Sequence, residues 1–165
     1  MNERAAAAKF APTSPTDAIA TMSGLDFIRA IKDSAHPPPS MATLIGFDLV
    51  EAEEGRVVFA GTPTERHLNP MGVVHGGYAA TLLDSCMTCA IQSTLQPGFA
   101  ATTLDIAVHF TRAARPQSGT LRAEGKTVHV GRQFGTAEGR LTDSQGRIIA
   151  HATTSCLIFP VRPPA

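Results

Sequence analysis

The feature of the sequence that most constrains the fold is a long helix-forming segment with almost no charge. Between positions 76 and 95, small and apolar side chains recur every three or four residues, which is the spacing of one helix face. The members of that face are Ala79, Leu82, Leu83, Cys86, Met87, Ala90, Ile91 and Thr94. The other side carries uncharged polar groups and a single carboxylate, Asp84. A helix of this composition must be mostly buried, so the remainder of the chain has to surround it.

Segments on both sides of this helix alternate with the period of a β-strand. Before it, residues 45–49 and 57–59 alternate around a turn at Gly55, which predicts a hairpin. After it, four further segments alternate, at residues 104–110, 121–130, 132–141 and 148–159. A wide apolar helix face needs a sheet face to cover it. The order of elements therefore predicts an α+β domain in which one antiparallel sheet wraps round one long central helix.

The ends of the chain lack such a sustained period. Residues 1–22 are rich in alanine, threonine and proline, so we expect a mobile N-terminal extension there. A short helix is expected to begin after Ser23, which can cap it, and to end before the prolines at 37–39. Residues 23–160 are thus predicted to form one domain, and residues 161–165 a C-terminal tail.

The charge balance argues against several classes of partner. The 14 basic residues offset 14 acidic ones, so no net positive field gathers nucleic acid or anionic lipid. No segment approaches the roughly 20 consecutive apolar residues of a membrane span, and the N-terminus lacks the apolar stretch of a secretory signal. We therefore predict a cytoplasmic protein that binds neither nucleic acid nor membranes.

The cysteines indicate neither a disulfide framework nor a metal site. The chain has 3 of them, an odd number that argues against a secreted, disulfide-bonded fold. Cys86 and Cys89 have C-x-x-C spacing, but they fall within the apolar helix and have no second pair. We interpret them as small buried side chains. No dinucleotide fingerprint or phosphate-binding loop is present either, so no metal or cofactor is predicted.

The residues with the clearest chemical potential lie where a loop becomes the long helix. His75, Gly76 and Gly77 occupy this junction, where the first backbone N–H groups of a helix have no intrahelical partner. This end carries the positive pole of the helix dipole, and glycine lets a bulky carbonyl approach closely. An oxygen that gains negative charge in a transition state is stabilised in such a place. The alternative is that the glycines only permit a tight turn and that His75 is a packing residue.

Asp84 is the second candidate, because a carboxylate in the middle of a nearly uncharged helix has a large desolvation cost. Such a group is either paired or takes part in chemistry. The structural alternative is an ion pair with Arg112, Arg115 or Arg132. The residues by themselves leave both alternatives open.

The junction and the carboxylate belong to a longer pattern. Residues 69–77 read Asn-Pro-x-Gly-x-x-His-Gly-Gly, and Leu-Leu-Asp follows at 82–84. In this pattern the chain resembles the phenylacetate-degradation (PaaI-type) thioesterases of the hotdog superfamily, over roughly residues 25–159. The resemblance implies a hotdog fold and the hydrolysis of an acyl-CoA thioester to a free acid and coenzyme A. A thiolate leaves readily without a strong general acid, so a carboxylate and one oxyanion donor can suffice.

The resemblance also implies roles for individual residues. Asp84 matches the catalytic carboxylate of the family, which acts as a nucleophile or as a general base on water. Gly76 matches the residue whose N–H polarises the thioester carbonyl. His75 is similar to the residue that orients the loop and contacts the thioester, and Asn69 to one that helps to hold substrate or water. These four residues form the predicted catalytic set.

Five further residues are predicted to bind the substrate, namely Gly77, Thr88, Thr103, Arg115 and Arg132. Thr88 matches a hydroxyl that some related 4-hydroxybenzoyl-CoA thioesterases place beside their carboxylate. Thr103 lies one position away from the serine that other members use. The two arginines follow predicted strands, where they could meet the phosphates of coenzyme A, although solvated surface charge is the alternative for either.

Helix geometry adds a prediction about assembly. Asp84 follows Gly76 by eight residues, which separates them by roughly 12 Å along one helix at about 1.5 Å per residue. An attacking group and an oxyanion donor must both come within about 3 Å of the reacting atoms. We therefore expect a homodimer in which each active site combines Gly76 of one subunit with Asp84 of the other. The resemblance further implies a homotetramer built from two such dimers.

Two other functions fit parts of the pattern. A hotdog enoyl-CoA hydratase would also use an aspartate and a histidine, but both would have to face the same substrate carbons. A non-catalytic acyl-CoA-binding protein would keep the pocket and lose the carboxylate, and the presence of Asp84 weighs against it. The acyl group is not specified, because the pocket would be shaped by a dimer.

Overall fold

The structure is a computed structural model and describes residues 15–161. Three short helices and a hairpin come first, namely α1 (Pro15–Thr21), α2 (Gly24–Lys32), α3 (Ser40–Ile45), β1 (Phe47–Glu53) and β2 (Arg56–Gly61). The long helix α4 (Gly76–Gln92) follows, and then four strands, β3 (Phe99–Phe110), β4 (Leu121–Val130), β5 (Phe134–Thr142) and β6 (Ile148–Pro160). Single 3₁₀ turns lie at Glu65–His67 and Pro116–Ser118.

The strands form one six-stranded sheet in the order β1-β2-β4-β5-β6-β3, and every neighbouring pair is antiparallel. Helix α4 packs across one face of this sheet, and Leu82, Leu83, Met87 and Ile91 on it are fully buried. The predicted α+β architecture, one antiparallel sheet round one long helix, is confirmed. Within residues 15–161, neither α4 nor another helix is long and apolar enough to cross a membrane.

Two glycines on the sheet allow it to approach α4 closely. A Cβ atom at Gly125 on β4 would lie 2.4 Å from the backbone of Cys86, and one at Gly139 on β5 would lie 2.9 Å from the side chain of Met87. Any larger residue at Gly125 would push the sheet away from the helix backbone, because non-bonded carbon contacts do not become this short. The close packing fixes α4, and with it the side chains that α4 carries.

The N-terminal region contains more helix than the sequence pattern predicts. Pro15–Thr21 forms α1 within the segment that was expected to be a mobile extension. Tertiary contacts hold this short helix: Ala18 is buried, and the N–H of Gly98 donates to the carbonyl of Ile19 at 2.9 Å. Such contacts leave no periodic trace in so short a segment. Residues 1–14 of the extension and 162–165 of the tail lie outside the described residues.

The predicted helix after Ser23 is confirmed as α2, but the next segment differs from expectation. The hydroxyl of Ser23 accepts a hydrogen bond from the N–H of Asp26 at 3.2 Å. Ile45, which was assigned to a strand, instead ends α3, where Gly46 adopts a left-handed conformation (φ 79°) that closes the helix. The alternation around Ile45 gave the wrong prediction because a helix as short as α3 does not show a helical period.

The elements after residue 76 occur as predicted, with shifted boundaries. Helix α4 ends at Gln92 and not at position 95, and β5 begins at Phe134 and not at 132. The strand β3 begins at Phe99 and not at 104. The sequence pattern misses the start of this strand because the alanine and threonine residues there show no clear alternation. The order and type of elements in this part of the chain are therefore confirmed.

Strand β3 lies at one edge of the sheet and carries apolar side chains that a single chain leaves exposed. Leu104 is 54% exposed, Ile106 36% and Phe110 57%. The alternation of these residues predicted the strand correctly. Its apolar side is nevertheless only partly covered by the core of its own chain.

Candidate active site

His75 caps α4 and leaves the first N–H group of the helix free. Its backbone is extended (φ −60°, ψ 136°), and its Nδ1 accepts a hydrogen bond from the N–H of Gly77 at 2.9 Å. The N–H of Tyr78 donates to the carbonyl of His75 at 3.0 Å. Among the described residues, none accepts a hydrogen bond from the N–H of Gly76. The predicted oxyanion donor is therefore available at the positive end of the helix dipole.

The same contacts change the expectation for Gly77. Because its N–H is held by the imidazole of His75, Gly77 has no backbone donor left for a substrate. His75 was expected to orient the loop, and its place as the capping residue agrees with that. His75 is exposed, and within the described chain its Nε2 has no hydrogen-bond partner.

Asn69 organises the loop that leads to His75. Its side-chain oxygen accepts hydrogen bonds from the N–H groups of Met71 at 3.0 Å and Val73 at 3.3 Å, and its own N–H donates to the carbonyl of Val73 at 2.8 Å. This is an Asx-type turn that closes the loop on itself. The Asn69 oxygen is thus bonded to the loop backbone, whereas the resemblance implies that this side chain helps to hold substrate or water.

A pocket of about 390 Å³ opens beside Gly76. Its walls are largely apolar, with Val74, Ala79 and Leu121 among them, and the guanidinium-bearing Arg112 also lines it. The ring of Phe110 lies 3.0 Å from the position that a Cβ atom at residue 76 would occupy. A side chain at residue 76 would thus press lightly on the ring of Phe110, and glycine leaves residue 76 at the wall of a pocket large enough for part of a small ligand.

Asp84 lies half-buried in the middle of α4 and is held by hydroxyl groups. The hydroxyl of Thr103 donates to its Oδ1 at 2.7 Å, and the hydroxyl of Thr88 lies 3.5 Å from the same oxygen. The two hydroxyls are 2.9 Å apart, so Thr88 can donate to Thr103, whose proton points at Asp84. Between residues 15 and 161, no arginine or lysine pairs with Asp84, and the ion-pair alternative is wrong for this part of the chain.

A β-bulge explains how Thr103 reaches Asp84. The pairing of β3 with β6 shifts register between Thr103 and Asp105. Bulges of this kind re-aim side chains and occur often beside active sites. The sequence left Thr103 as the weaker match because its offset differed by one position, and the local register of a strand is not readable from its residues.

The three cysteines lie close to this cluster as unreactive thiols. Burial raises the pKa of Cys89 to about 12, and the negative charge of Asp84 adds to the effect. Burial also raises the pKa of Cys86 and Cys156. A thiol with a raised pKa is a poor nucleophile at neutral pH, so the interpretation of Cys86 and Cys89 as packing residues fits. The described part of the chain has no group of three or more His, Cys, Asp or Glu side chains arranged for a metal ion.

The arginines predicted to contact coenzyme A do not line the pocket beside Gly76. Arg115 begins the 3₁₀ turn after β3, and Arg132 lies in the hairpin between β4 and β5, with both side chains exposed. Arg112, which the sequence suggests as an ion-pair partner of Asp84, lines the pocket instead. The sequence places Arg112 shortly after the predicted strand. It does not show the direction in which the chain leaves that strand.

The chain is similar to one protein family and to three known proteins. A model of the thioesterase superfamily matches residues 71–150, a span that includes Gly76 and Asp84. The acyl-coenzyme A thioesterase PaaI of Escherichia coli is 28% identical over 109 residues, covering 66% of this chain and 75% of that protein. A 1,4-dihydroxy-2-naphthoyl-CoA hydrolase of Listeria monocytogenes is 25% identical over 105 residues, covering 64% and 84% respectively. The structure of smu.793 from Streptococcus mutans, bound to acetyl CoA, matches with a TM-score of 0.64 at 30% identity, covering 72% of this chain and 92% of that one.

The fold and the comparisons together define a thioester hydrolase with the hotdog architecture. The chain belongs to the thioesterase superfamily, and within that superfamily it is of the PaaI type.

Proposed function

We propose that this protein hydrolyses an acyl-CoA thioester, with Asp84 as nucleophile or general base and the N–H of Gly76 as the oxyanion donor. The observation that carries the proposal is the state of Asp84. Its Oδ1 is held by Thr103, whereas its Oδ2 accepts no hydrogen bond from another described residue. One oxygen thus orients the carboxylate, and the other is left to react with a carbonyl carbon or a water molecule.

The chemistry follows from these two groups. In the general-base form, Asp84 takes a proton from water while the water oxygen bonds to the thioester carbon. The charge that develops on the carbonyl oxygen is stabilised by the Gly76 N–H and the helix dipole. The carbon–sulfur bond then breaks, and coenzyme A leaves as a thiolate with the free acid as the other product. In the nucleophilic form, an oxygen of Asp84 bonds to the carbonyl carbon, the carbon–sulfur bond breaks and coenzyme A leaves as a thiolate. Water then hydrolyses the resulting mixed anhydride to the free acid and the Asp84 carboxylate.

A homodimer with shared active sites completes this mechanism. Gly76 and Asp84 lie on the same helix, roughly 12 Å apart by the rise of about 1.5 Å per residue, so one chain cannot bring both to one carbonyl. The edge of the sheet at β3 has no strand beyond it in the described chain and exposes Leu104, Ile106 and Phe110. Such an edge is a template for pairing with another strand. Pairing of two β3 strands across a two-fold axis would cover these side chains and bring α4 of each subunit near the other.

The substrate is proposed to carry coenzyme A for two reasons. The PaaI relative is named as an acyl-coenzyme A thioesterase, and the Streptococcus mutans structure holds acetyl CoA. In this chain, Arg112 places a cation at the pocket beside Gly76, where its field attracts the anionic carrier. The assembly of two dimers into a tetramer and a cytoplasmic location stay predictions.

A spectrophotometric assay of thiol release over a panel of aliphatic and aryl acyl-CoAs tests the proposal. We expect turnover of at least one thioester in the absence of added metal or redox cofactor, because a carboxylate and an N–H donor suffice for this reaction. Absence of turnover across the panel would overturn the proposal. Activity that is lost in a chelator and restored by a divalent ion would contradict its metal-free form.

The same panel addresses the two alternatives. A non-catalytic binding protein would retain acyl-CoA at equilibrium without releasing thiol. A hydratase would consume enoyl-CoA and release no thiol. The assignment to the thioesterase superfamily favours hydrolysis over both.

A further inference from the structure

The N-terminus of α4 lies beside two pockets, and the first is the pocket beside Gly76. The second has a volume of about 410 Å³ and lies on the side of Gly77. Its lining includes His67, Leu68, His75, Gly77, Tyr78 and Thr81, and we call it the His67 pocket. Because Gly77 directly follows Gly76, this pocket begins within one residue of the proposed oxyanion donor.

Both histidines of the His67 pocket are held in the same tautomer. The N–H of Thr64 donates to Nδ1 of His67 at 2.8 Å, and the N–H of Gly77 donates to Nδ1 of His75 at 2.9 Å. A backbone N–H can only donate, so each Nδ1 must be the acceptor, and each neutral ring carries its proton on Nε2. Two imidazole N–H donors therefore belong to one pocket.

The ring of His67 is fixed in place by contacts on several sides. It packs against the ring of Tyr78 with a centroid distance of 4.7 Å and an interplanar angle of 50°. Its backbone carbonyl accepts the N–H of His75 at 2.7 Å, and its side chain closes a capping box with Thr64. A donor held this firmly loses little conformational freedom when a ligand accepts from it.

We propose that the His67 pocket is a second arm of the active site, which binds an oxygen of the substrate through the Nε2–H groups of His67 and His75. This inference rests on the proposed function. The phosphates of coenzyme A are excluded as the ligand, because they lie at the far end of the pantetheine arm from the thioester. The oxygen therefore belongs either to the nearest amide carbonyl of that arm or to the acyl group.

A double-mutant cycle between His67 and the substrate oxygen tests the proposal. His67 occupies the position of a capping box where Glu and Gln are the usual residues, so both can keep the bond to Thr64. His67→Glu keeps that bond and offers no donor, whereas His67→Gln keeps it and offers an amide N–H. Thr94→Val is the matched control, because the Thr94 hydroxyl likewise donates to a backbone carbonyl, that of Ile91 at 2.8 Å, and Thr94 lines neither pocket.

Two arms of the experiment separate the sources of the oxygen. In the first, kcat/KM is compared for acyl-CoA pairs that differ by one hydroxyl, hexanoyl with 6-hydroxyhexanoyl and benzoyl with 4-hydroxybenzoyl. In the second, it is compared for the N-acetylcysteamine and pentanethiol thioesters of one acid, which are both uncharged and differ in the amide. Removal of the recognised oxygen should cost the parent roughly two- to tenfold more than it costs His67→Glu.

We expect this coupling in one arm, its retention in His67→Gln, and parental values for Thr94→Val. Absence of coupling in both arms, or equal behaviour of the Glu and Gln variants, overturns the proposal while leaving thioester hydrolysis intact. A parent protein that hydrolyses no thioester overturns the proposed function itself, which is a distinguishable result. If His67→Glu does not fold, His67→Phe, which keeps a ring beside Tyr78 and lacks the N–H, takes its place.

Discussion

The first turn of α4 offers a hydrogen-bond donor, whereas the middle of the same helix offers an acceptor. The donor is a backbone N–H at Gly76, left free because the helix begins there and His75 caps the next residue. The acceptor is the carboxylate of Asp84, which is oriented from outside the helix by Thr103 on β3. Local sequence builds the first site and tertiary packing builds the second. Changes at the two sites should therefore differ in kind as well as in size.

The largest effect is expected from removal of the acceptor. Asp84→Asn has nearly the same shape and can keep the bond from Thr103, but an amide is neither a nucleophile nor a base. We expect turnover to fall by about 10²–10⁴-fold, with little change in the melting temperature. Steady-state kinetics and thermal unfolding of the purified variant measure both. A variant that hydrolyses every substrate of the parent at a near-normal rate would make Asp84 a structural residue.

Removal of the donor is expected to rank next. Gly76→Pro deletes the N–H at the first helical position, where proline is compatible with the helix. The loss of one oxyanion donor typically lowers kcat by about 10²–10³. Gly76→Ala is the control, since it keeps the N–H but places a Cβ atom 3.0 Å from the ring of Phe110. If the alanine variant loses as much activity as the proline variant, packing against Phe110 and not the N–H is what matters.

A smaller effect is expected when the carboxylate remains and its orientation is disturbed. Thr103→Val keeps the size of the side chain and removes the 2.7 Å hydrogen bond to Asp84. We expect kcat to fall by about tenfold with KM nearly unchanged, the usual scale for a hydrogen bond to a charged group. Thr88→Val should cost less, because its hydroxyl lies 3.5 Å from the same oxygen. Equal losses in the two variants would contradict the assignment of Thr103 as the main orienting group.

The smallest effect is expected from a change in the lining of the pocket beside Gly76 that removes neither the donor nor the acceptor. Arg112→Gln should raise KM for acyl-CoA by a few-fold at low salt and leave kcat almost unchanged, because an exposed cation contributes modestly and is screened by ions. Arg115→Gln is the matched control, since Arg115 does not line the pocket beside Gly76. The comparison is made by kinetics at two ionic strengths. If Arg115 changes KM more than Arg112 does, the sequence-based choice was correct and the pocket-based one is wrong.

The contrast between the two sites also explains what the sequence could predict. The pattern from Asn69 to Gly77 predicts the loop and the helix start, because capping and turn formation depend on neighbouring residues. The period of the helix and strands predicts the architecture for the same reason. The sequence also predicts the position of Asp84 on the helix. It does not predict that Asp84 has no arginine partner in the described part of the chain.

The features that were missed all depend on contacts between distant segments. The helix α1 is held by packing of Ala18 and a hydrogen bond from Gly98, which no local period records. Thr103 reaches Asp84 through a bulge in β3, and bulges shift register without a clear sequence signal. Arg112 lines the pocket in preference to Arg115 because of the path that the chain takes after β3. The sequence pattern predicts secondary-structure elements well. It predicts the directions of individual side chains much less well.

The central claim is that one active site combines the N–H of Gly76 from one subunit with the carboxylate of Asp84 from the other. Subunit mixing tests this claim most directly. An Asp84→Asn chain is refolded together with a Gly76→Pro chain, after each alone is shown to be folded, dimeric and inactive. In the mixed dimer, one active site combines both intact halves and the other combines both lesions. We expect activity to return to about half of the parental value per heterodimer. A mixture that stays inactive although heterodimers are shown to form would contradict the shared-site account.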